Sequence, residues 1–278
     1  MTPSWPDRFE PDWNILGLSV AFASNREWPD ATNTGVPDDT PLQRSDGLVI
    51  TTPGTVVSKV DVHGSVHIKA ADVTLEKCRV TSNGWAVVQI ESGITGTVVQ
   101  DCTINGTGAG PDGTGNQGIM GQGTFLRNNI SNVENGITLT GNNSVIEDNY
   151  IHDLKAGGEP HYDGIEIDGA VSDVVIRHNT IINSHGAAAA IMIDNYFGPI
   201  SNITVDNNLL AGGSFTIYSD AKFNSSPIAG VTVSNNHIAP GQYGPKLFRG
   251  NSPTYTGNSY DGAAQLRGVK LEKGGPRQ

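Results

Sequence analysis

Apolar residues recur along the chain in one motif: an apolar residue, two variable residues, Asn or Cys, one variable residue, and a second apolar residue. The Asn or Cys of successive motifs stands at Cys78, Cys102, Asn128, Asn149, Asn179, Asn208, Asn236 and Asn258. The mean spacing is about 26 residues, which is typical of solenoid repeats. The chain is therefore predicted to be a stack of short, similar coils.

A coil of this length cannot bury an apolar face alone, but stacked coils about 4.8 Å apart give each strand a parallel neighbour and enclose one core. The pattern predicts an all-β fold, a single-stranded parallel β-helix of about eight to nine coils. Asn tolerates the left-handed backbone of a tight bend, and stacked Asn amides hydrogen-bond along a column. We expect an Asn ladder, with Cys78 and Cys102 as small buried members of the same column.

A second strand precedes each Asn bend, and alternation separates its inward from its outward residues. The inward column is predicted to be Val66, Val88, Ile119, Ile137, Ile165, Ile191 and Ile217. One outward column then contains His67, Gln89, Met120, Thr138, Glu166, Met192 and Tyr218, and the next contains Lys69, Glu91, Gln122, Thr140, Asp168, Asp194 and Asp220. Three aspartates are thus predicted to lie one above another.

Composition agrees with turn-rich β-structure, because 35 glycines and 15 prolines accompany abundant Val, Ile and Thr. With 17 basic and 28 acidic residues the formal net charge is −11, so nucleic acid and anionic membranes are not expected as main partners. No apolar run is long enough to span a membrane or to act as a signal peptide. We expect an extracellular or virion-associated protein that is exported by another route or after signal removal.

Three segments are expected. Residues 46–262 carry the repeats, and residues 263–278 form a polar tail that is expected to fray. Residues 1–45 lie outside the repeat and hold three of the four tryptophans, Trp5, Trp13 and Trp28. This segment is predicted to cap the open end of the solenoid. The alternative is docking, either to a phage tail partner or to another copy of the chain.

The repeats resemble the right-handed parallel β-helices of the pectate-lyase-like superfamily over about residues 45 to 262. The stretches His161-Tyr-Asp-Gly-Ile-Glu166 and Ile176-Arg-His-Asn-Thr-Ile181 are similar to those of bacterial and phage β-helix repeat proteins. The resemblance implies an Asn ladder between the second and third sheets and a polysaccharide bound along the first sheet. The group includes lyases, hydrolases, epimerases and phage tail proteins, so the resemblance alone leaves the function open.

Acidic and aromatic residues converge on this predicted face. Three stacked carboxylates need compensation from a bound cation such as Ca²⁺, a shared proton or a neighbouring cation such as Lys222, unless each aspartate only forms a turn. No cofactor is required. The candidates for catalysis are Asp168, Asp194, Glu166, His161 and Asp163. The candidates for substrate binding are Lys155, Tyr196, Phe197, Tyr218, Asp220, Lys222 and His185.

These residues fit a carbohydrate-active protein. Acids bind sugar hydroxyls while aromatic side chains cover the sugar faces. A hydrolase needs two carboxyl groups, whereas a uronate lyase needs a base such as His161, Tyr218 or Lys155 and a group that neutralises the substrate carboxylate. The sequence favours binding and cleavage of an extracellular or cell-envelope polysaccharide by one of these routes. The alternative is a phage tail or structural protein that only binds glycan.

Overall fold

Parallel strands dominate the computed structural model, which describes residues 27–108 and 116–266. In chain order the elements are β1 (Gln43–Ile50), β2 (Val56–Ser58), β3 (Val60–Ile68), β4 (Thr74–Glu76), β5 (Arg79–Thr81), β6 (Ala86–Ile90), β7 (Val98–Gln100), β8 (Thr103–Asn105), β9 (Gln117–Gly121), β10 (Thr124–Leu126), β11 (Asn129–Ser131), β12 (Asn135–Leu139), β13 (Ser144–Glu147), β14 (Tyr150–Ile151), β15 (Asp163–Ile167), β16 (Val171–Arg177), β17 (Thr180–Asn183), β18 (Ala189–Ile193), β19 (Ile200–Asp206), β20 (Leu209–Gly212), β21 (Phe215–Asp220), β22 (Ile228–Ser234), β23 (His237–Ala239), β24 (Gly244–Arg249), β25 (Thr254–Thr256) and α1 (Gly262–Gln265).

Each full coil contributes one strand to each of three parallel sheets. The first sheet runs β3-β6-β9-β12-β15-β18-β21-β24, the second runs from β2 to β25, and the third runs from β5 to β23. The first and third sheets join at β3, whose nine residues pair with both β5 and β6, and β1 pairs with β3 at the start of the stack. The predicted all-β parallel β-helix is confirmed.

The register of the first sheet agrees with the alternation in the sequence. Val66 pairs with Val88, and the column continues through Ile119, Ile137, Ile165, Ile191 and Ile217. All seven of these side chains are fully buried. Because alternate residues of a strand point to opposite faces, this inward column places the neighbouring polar columns on the outer face of the first sheet.

A ladder of asparagine side chains follows the bend between the second and third sheets. Asn149 donates from its backbone N and its Nδ2 to Oδ1 of Asn179, both at 2.9 Å, and Asn179 repeats this arrangement with Asn208. The residue before each Asn adopts a positive φ, for example 58° at Asp148 and 50° at His178. Cys102 continues the column, because its backbone N donates to Asn128 Oδ1 at 3.1 Å and its Sγ accepts from Cys78 N.

The described part of the N-terminal segment lies along the side of the solenoid. The Trp28 ring stacks on His178 at 5.1 Å and contacts His237 edge-on. Gly35 N donates to Arg127 O, and Arg127 lies in a coil nearer the start of the stack than the coils of His178 and His237. The chain then enters β1. Residues 27–42 therefore run back along several coils. The predicted capping roles of Trp5 and Trp13 lie outside the described residues.

The start of the C-terminal segment is packed, which corrects the prediction that the whole tail frays. Residues 262–265 form α1, and the following Leu266 packs against an apolar cluster on the third sheet. That cluster consists of Ile182, Ala211 and Ala239, so the partial burial of Leu266 helps to hold this turn in place. The rest of the tail, from residue 267, lies outside the described residues. Within the described ranges, no helix is long and apolar enough to cross a membrane.

Candidate functional site

A groove of about 470 Å³ lies on the outer face of the first sheet. Its floor comes from β15 and β18 and the residues that follow them, and its outer edge comes from the loops after β18 and β21. The lining residues are His161, Asp163, Glu166, Asp168, Ala188, Met192, Asp194, Tyr196, Phe197 and Phe223. The groove thus contains all five predicted catalytic residues and both predicted aromatic residues of the loop after β18.

Glu166 and Asp163 are held by residues of the preceding coil. Asn135 Nδ2 donates to Glu166 Oε2 at 2.8 Å, and Thr138 Oγ1 donates to the same oxygen at 2.9 Å. Asn135 also accepts from Asp163 N through its Oδ1, and Asp163 Oδ1 accepts from Ala189 N at 3.1 Å. Burial raises the pKa of both acids, and it raises that of Asp163 well above its ordinary value. Both carboxyl groups are therefore fixed in position before any ligand binds.

Asp168 has the most informative environment in the groove. Burial raises the pKa of its carboxyl to about 8, and the charges of Glu166 and Asp194 add to the shift. Its side chain interacts with both neighbours by hydrogen bonding, which favours the protonated form of Asp168. The same contacts partly offset the burial that raises the pKa of Glu166 and of Asp194. Near neutral pH the environment of Asp168 thus favours its protonated form.

Asp194 and Asp220 continue the acidic column onto the next coils, and their backbones pair in an isolated parallel β-bridge. Tyr196 N donates to Asp194 Oδ1 at 2.9 Å, although burial is the larger influence and raises the pKa of Asp194. Asp220 is almost fully buried and forms an ion pair with Arg249, whose Nε lies 2.8 Å from Oδ2. Arg249 thus provides the cationic compensation that the sequence assigned to Lys222.

The side chain of Lys222 takes no part in this ion pair. Its backbone N donates to Asp220 Oδ1 at 3.1 Å, whereas the end of its side chain lies beside Gly250. Neither Lys222 nor Asp220 is among the described residues that line the groove. Arg249 was missed because the predicted column ended at Asp220. One further step of the same register pairs these two residues directly.

Three exposed aromatic side chains form the outer edge of the groove. Tyr196, Phe197 and Phe223 are 60%, 70% and 52% exposed, and the Tyr196 ring contacts the other two at centroid distances of 4.8 and 6.0 Å. Phe197 N donates to Asp168 O at 2.6 Å, which fixes this loop beside the acids. The fully buried Asn195 joins the two loops, since its Nδ2 donates to Ser226 O and its Oδ1 accepts from Phe223 N. Sequence reasoning missed this role.

The remaining predicted residues lie around the groove. His161 lines it, and its backbone N donates to Glu134 Oε1 at 2.8 Å. Tyr218 is half-buried one coil beyond Met192, and burial raises its pKa. His185 stacks on Tyr162 and lines a neighbouring cavity. Lys155 packs its side chain against Gly108 and is not among the described lining residues.

The arrangement of possible metal ligands bears on the suggested Ca²⁺ column. Over residues 27–108 and 116–266, no group of three or more His, Cys, Asp or Glu side chains is arranged to hold a metal ion. The Arg249 guanidinium also already pairs with Asp220, the third member of that column. A proton retained on Asp168 and the pair of Asp220 with Arg249 each reduce the repulsion among these carboxyl groups.

Comparison with known families supports the architecture. The family described as "Right handed beta helix region" matches residues 46–210 and again residues 117–275. No curated protein and no solved structure matches the chain. The two overlapping matches cover well over half of the sequence, and they coincide with the stacked coils and the ladder described above. The chain therefore belongs to the right-handed β-helix family.

Proposed function

We propose that this protein is a glycoside hydrolase that cleaves an uncharged polysaccharide in the groove of the first sheet. The observation that carries the proposal is the grouping of Glu166, Asp168 and Asp194 in one groove beside a wall of exposed aromatic rings, where burial raises the pKa of Asp168 to about 8. Hydrolysis of a glycosidic bond requires a proton donor and a second, ionised carboxylate. Aromatic faces bind the apolar faces of sugar rings. The groove brings these two requirements together.

Asp168 serves as the general acid. It retains its proton at neutral pH and donates it to the glycosidic oxygen as the bond to the leaving sugar breaks. Asp194 acts from the adjacent coil as the ionised carboxylate that attacks the sugar or activates water. Glu166 keeps a fixed orientation through Asn135 and Thr138, and it holds the Asp168 proton in place until substrate arrives.

The charge of the groove favours a hydrolase over a uronate lyase. A lyase must neutralise the carboxylate of its substrate. Among the described residues that line the groove, His161 alone can carry a positive charge, and four others are carboxylic acids. Arg249 already pairs with Asp220. A polyuronate therefore meets like charge in this groove, whereas an uncharged chain does not. We infer that the substrate is a polysaccharide outside the cell or on the surface that a virion targets.

The test is incubation with xylan, mixed-linkage β-glucan, polygalacturonate and alginate. Reducing ends report hydrolysis, and ultraviolet absorbance of unsaturated sugars reports elimination. We expect reducing ends without unsaturated products. Asp168→Asn and Asp194→Asn should each lower turnover by about 10²-fold or more, because each removes an acid-base group and keeps its shape. Asp38→Asn is the matched control, since Asp38 is exposed and is not among the described residues that line the groove.

The pH profile provides a second measurement. Activity should fall as the pH rises through about 8, because Asp168 then loses the proton that it must donate. Unsaturated products would identify a lyase instead. Retention in a gel that contains one of these polysaccharides, without cleavage, would identify the binding-only alternative, such as a phage tail protein. Full activity of both Asn variants would remove Asp168 and Asp194 from the mechanism.

A further inference from the structure

A second cavity, of about 500 Å³, adjoins the acidic groove. His161 and Ala188 line both cavities, so the two are adjacent. The second cavity lies at the beginnings of the first-sheet strands: Tyr162 directly precedes β15, Ser214 precedes β21 and Tyr243 precedes β24. The acidic groove starts beside the beginnings of β15 and β18 and extends along these strands to the residues that follow them. The two cavities are therefore aligned along the strand direction.

Fixed contacts hold the lining of the second cavity. The rings of Tyr162 and His185 stack at 3.7 Å and 9°, and His185 Nε2 lies 2.6 Å from Leu154 O. The fully buried Asn183 donates from Nδ2 to Tyr162 O and to Ala187 O, which joins the two loops that form the lining. A cavity with a lining fixed in this way requires little ordering when a ligand binds.

The chemistry of this lining suits a sugar. Tyr243 is 61% exposed and offers an aromatic face. Glu159, Gln242 and Ser214 contribute polar groups around it. In contrast to the acidic groove, its described lining holds one carboxylic acid. Such a mixture of aromatic and polar groups binds sugar rings without the paired carboxyl groups needed to cleave them.

Along the solenoid axis, the described lining of the acidic groove covers three coils, those of β15, β18 and β21. Its described lining begins at His161 and ends at Phe223, so no residue of β12 or of an earlier coil contributes. Toward the other end of the stack, the pair of Asp220 and Arg249 lies outside the lining. The observed extension is the one across the sheet, past His161 and Ala188.

We propose that the second cavity binds further sugars of the same chain, so that the polysaccharide crosses the coils along the strand direction and not along the solenoid axis. The proposal rests on the proposed function, because it takes the acidic groove as the place where the chain is cut. Sugars on one side of the cut then occupy the acidic groove and its aromatic edge, and sugars on the other side lie in the second cavity. His161 is at the junction.

The experiment compares kcat/KM for oligosaccharides of increasing length, from disaccharides to octasaccharides, prepared from xylan, mixed-linkage β-glucan and polygalacturonate. In the wild type, kcat/KM should rise with length until both cavities are filled. Ala187→Trp places a large ring in the second cavity and should remove that rise, lowering kcat/KM for the longest oligosaccharides about tenfold or more. Tyr243→Ala removes an exposed aromatic face and tests the same point without adding bulk.

Thr140→Trp is the matched control for a path along the axis, because the exposed Thr140 lies one coil before Asp168. It should leave the length dependence unchanged. Loss of the length dependence in Thr140→Trp, with its retention in Ala187→Trp and Tyr243→Ala, overturns the crossing path while the hydrolase assignment stands. Failure of every polysaccharide and oligosaccharide to be cleaved overturns the proposed function and this inference with it.

Discussion

Replacement of Asn179 by Leu tests whether the asparagine ladder stabilises the solenoid. Asn179 is fully buried, and its Oδ1 accepts from both the backbone N and the Nδ2 of Asn149 at 2.9 Å. Its Nδ2 donates to Ile146 O, to Arg177 O and to Asn208 Oδ1 at 2.9 to 3.0 Å. Leu removes all five hydrogen bonds while keeping a side chain of similar length.

The expected loss follows from the groups that remain unpaired. Asn149 Nδ2 still donates to Phe125 O, and Asn208 Oδ1 still accepts from Asn179 N. Asn149 N loses its partner within the buried column, which costs about 1–3 kcal/mol. The weakened contacts at Ile146 O and Asn208 add about 1 kcal/mol. Asn179→Leu should therefore lower the free energy of unfolding by about 2–4 kcal/mol.

Two further variants provide a graded comparison. Asn179→Cys should lose less than Asn179→Leu, because Cys102 Sγ already accepts a backbone N–H in the same column. Asn258→Leu affects the last described member of the ladder, which is only partly buried and bonds to one ladder neighbour, Asn236. It should also cost less than Asn179→Leu. The loss of stability in the three variants thus depends on ladder position as well as on side-chain chemistry.

The assay is urea denaturation followed by circular dichroism and by tryptophan fluorescence. Coincident transitions establish that one free energy describes unfolding, which repeat proteins do not always satisfy. If Asn179→Leu lies within about 0.5 kcal/mol of wild type, or if Asn258→Leu is equally destabilising, the reasoning from orphaned amides is refuted. The column of asparagines would then reflect only the preference of Asn for the backbone geometry of the bend.

Three further predictions concern protonation, thiols and metal. Asp168→Asn should gain stability relative to wild type as the pH rises from about 4 to about 8, because the raised folded-state pKa means that wild type loses stability over this range. The same difference in urea midpoint between variant and wild type at both pH values would contradict this. Cys78 and Cys102 are fully buried and should alkylate slowly in the folded protein, so rapid labelling seen by mass spectrometry would contradict the assigned register. EDTA should leave the melting temperature unchanged, whereas a fall that added Ca²⁺ reverses in wild type but not in Asp194→Asn would place Ca²⁺ at the acidic column.

The sequence predicted the fold and the register of the floor because both depend on simple periods. A strand alternates with a period of two residues, and each coil repeats the same apolar and Asn positions. Aligning Ile165 with Ile191 therefore also placed Glu166 beside Met192 and Asp168 next to Asp194, as the strand pairing has them. Errors in such a register are conspicuous, because a shift by one residue exposes every inward side chain.

The parts of the site that escaped prediction depend on irregular segments. Asn195 joins two loops that follow different strands, and loop conformation has no period from which contacts can be read. Trp28 lies far from His178 and His237 in the sequence and contacts them on the side of the solenoid. Arg249 was accessible in principle, since it directly continues the acidic column, but its coil follows the motif less closely.

The acidic groove is better explained by chemistry than by the needs of the fold. The first-sheet position of Asp163 is occupied by Gln117 and Asn135 in the two preceding coils, and that of Glu166 by Met120 and Thr138. Those coils pair in the same parallel register, so the solenoid does not require an acid there. Burying ionisable carboxyl groups disfavours their charged forms and weakens the folded state as the pH rises. Activity and stability oppose each other at active sites. A destabilising acidic cluster that is confined to neighbouring coils and lies beside exposed aromatic rings is therefore expected at such a site.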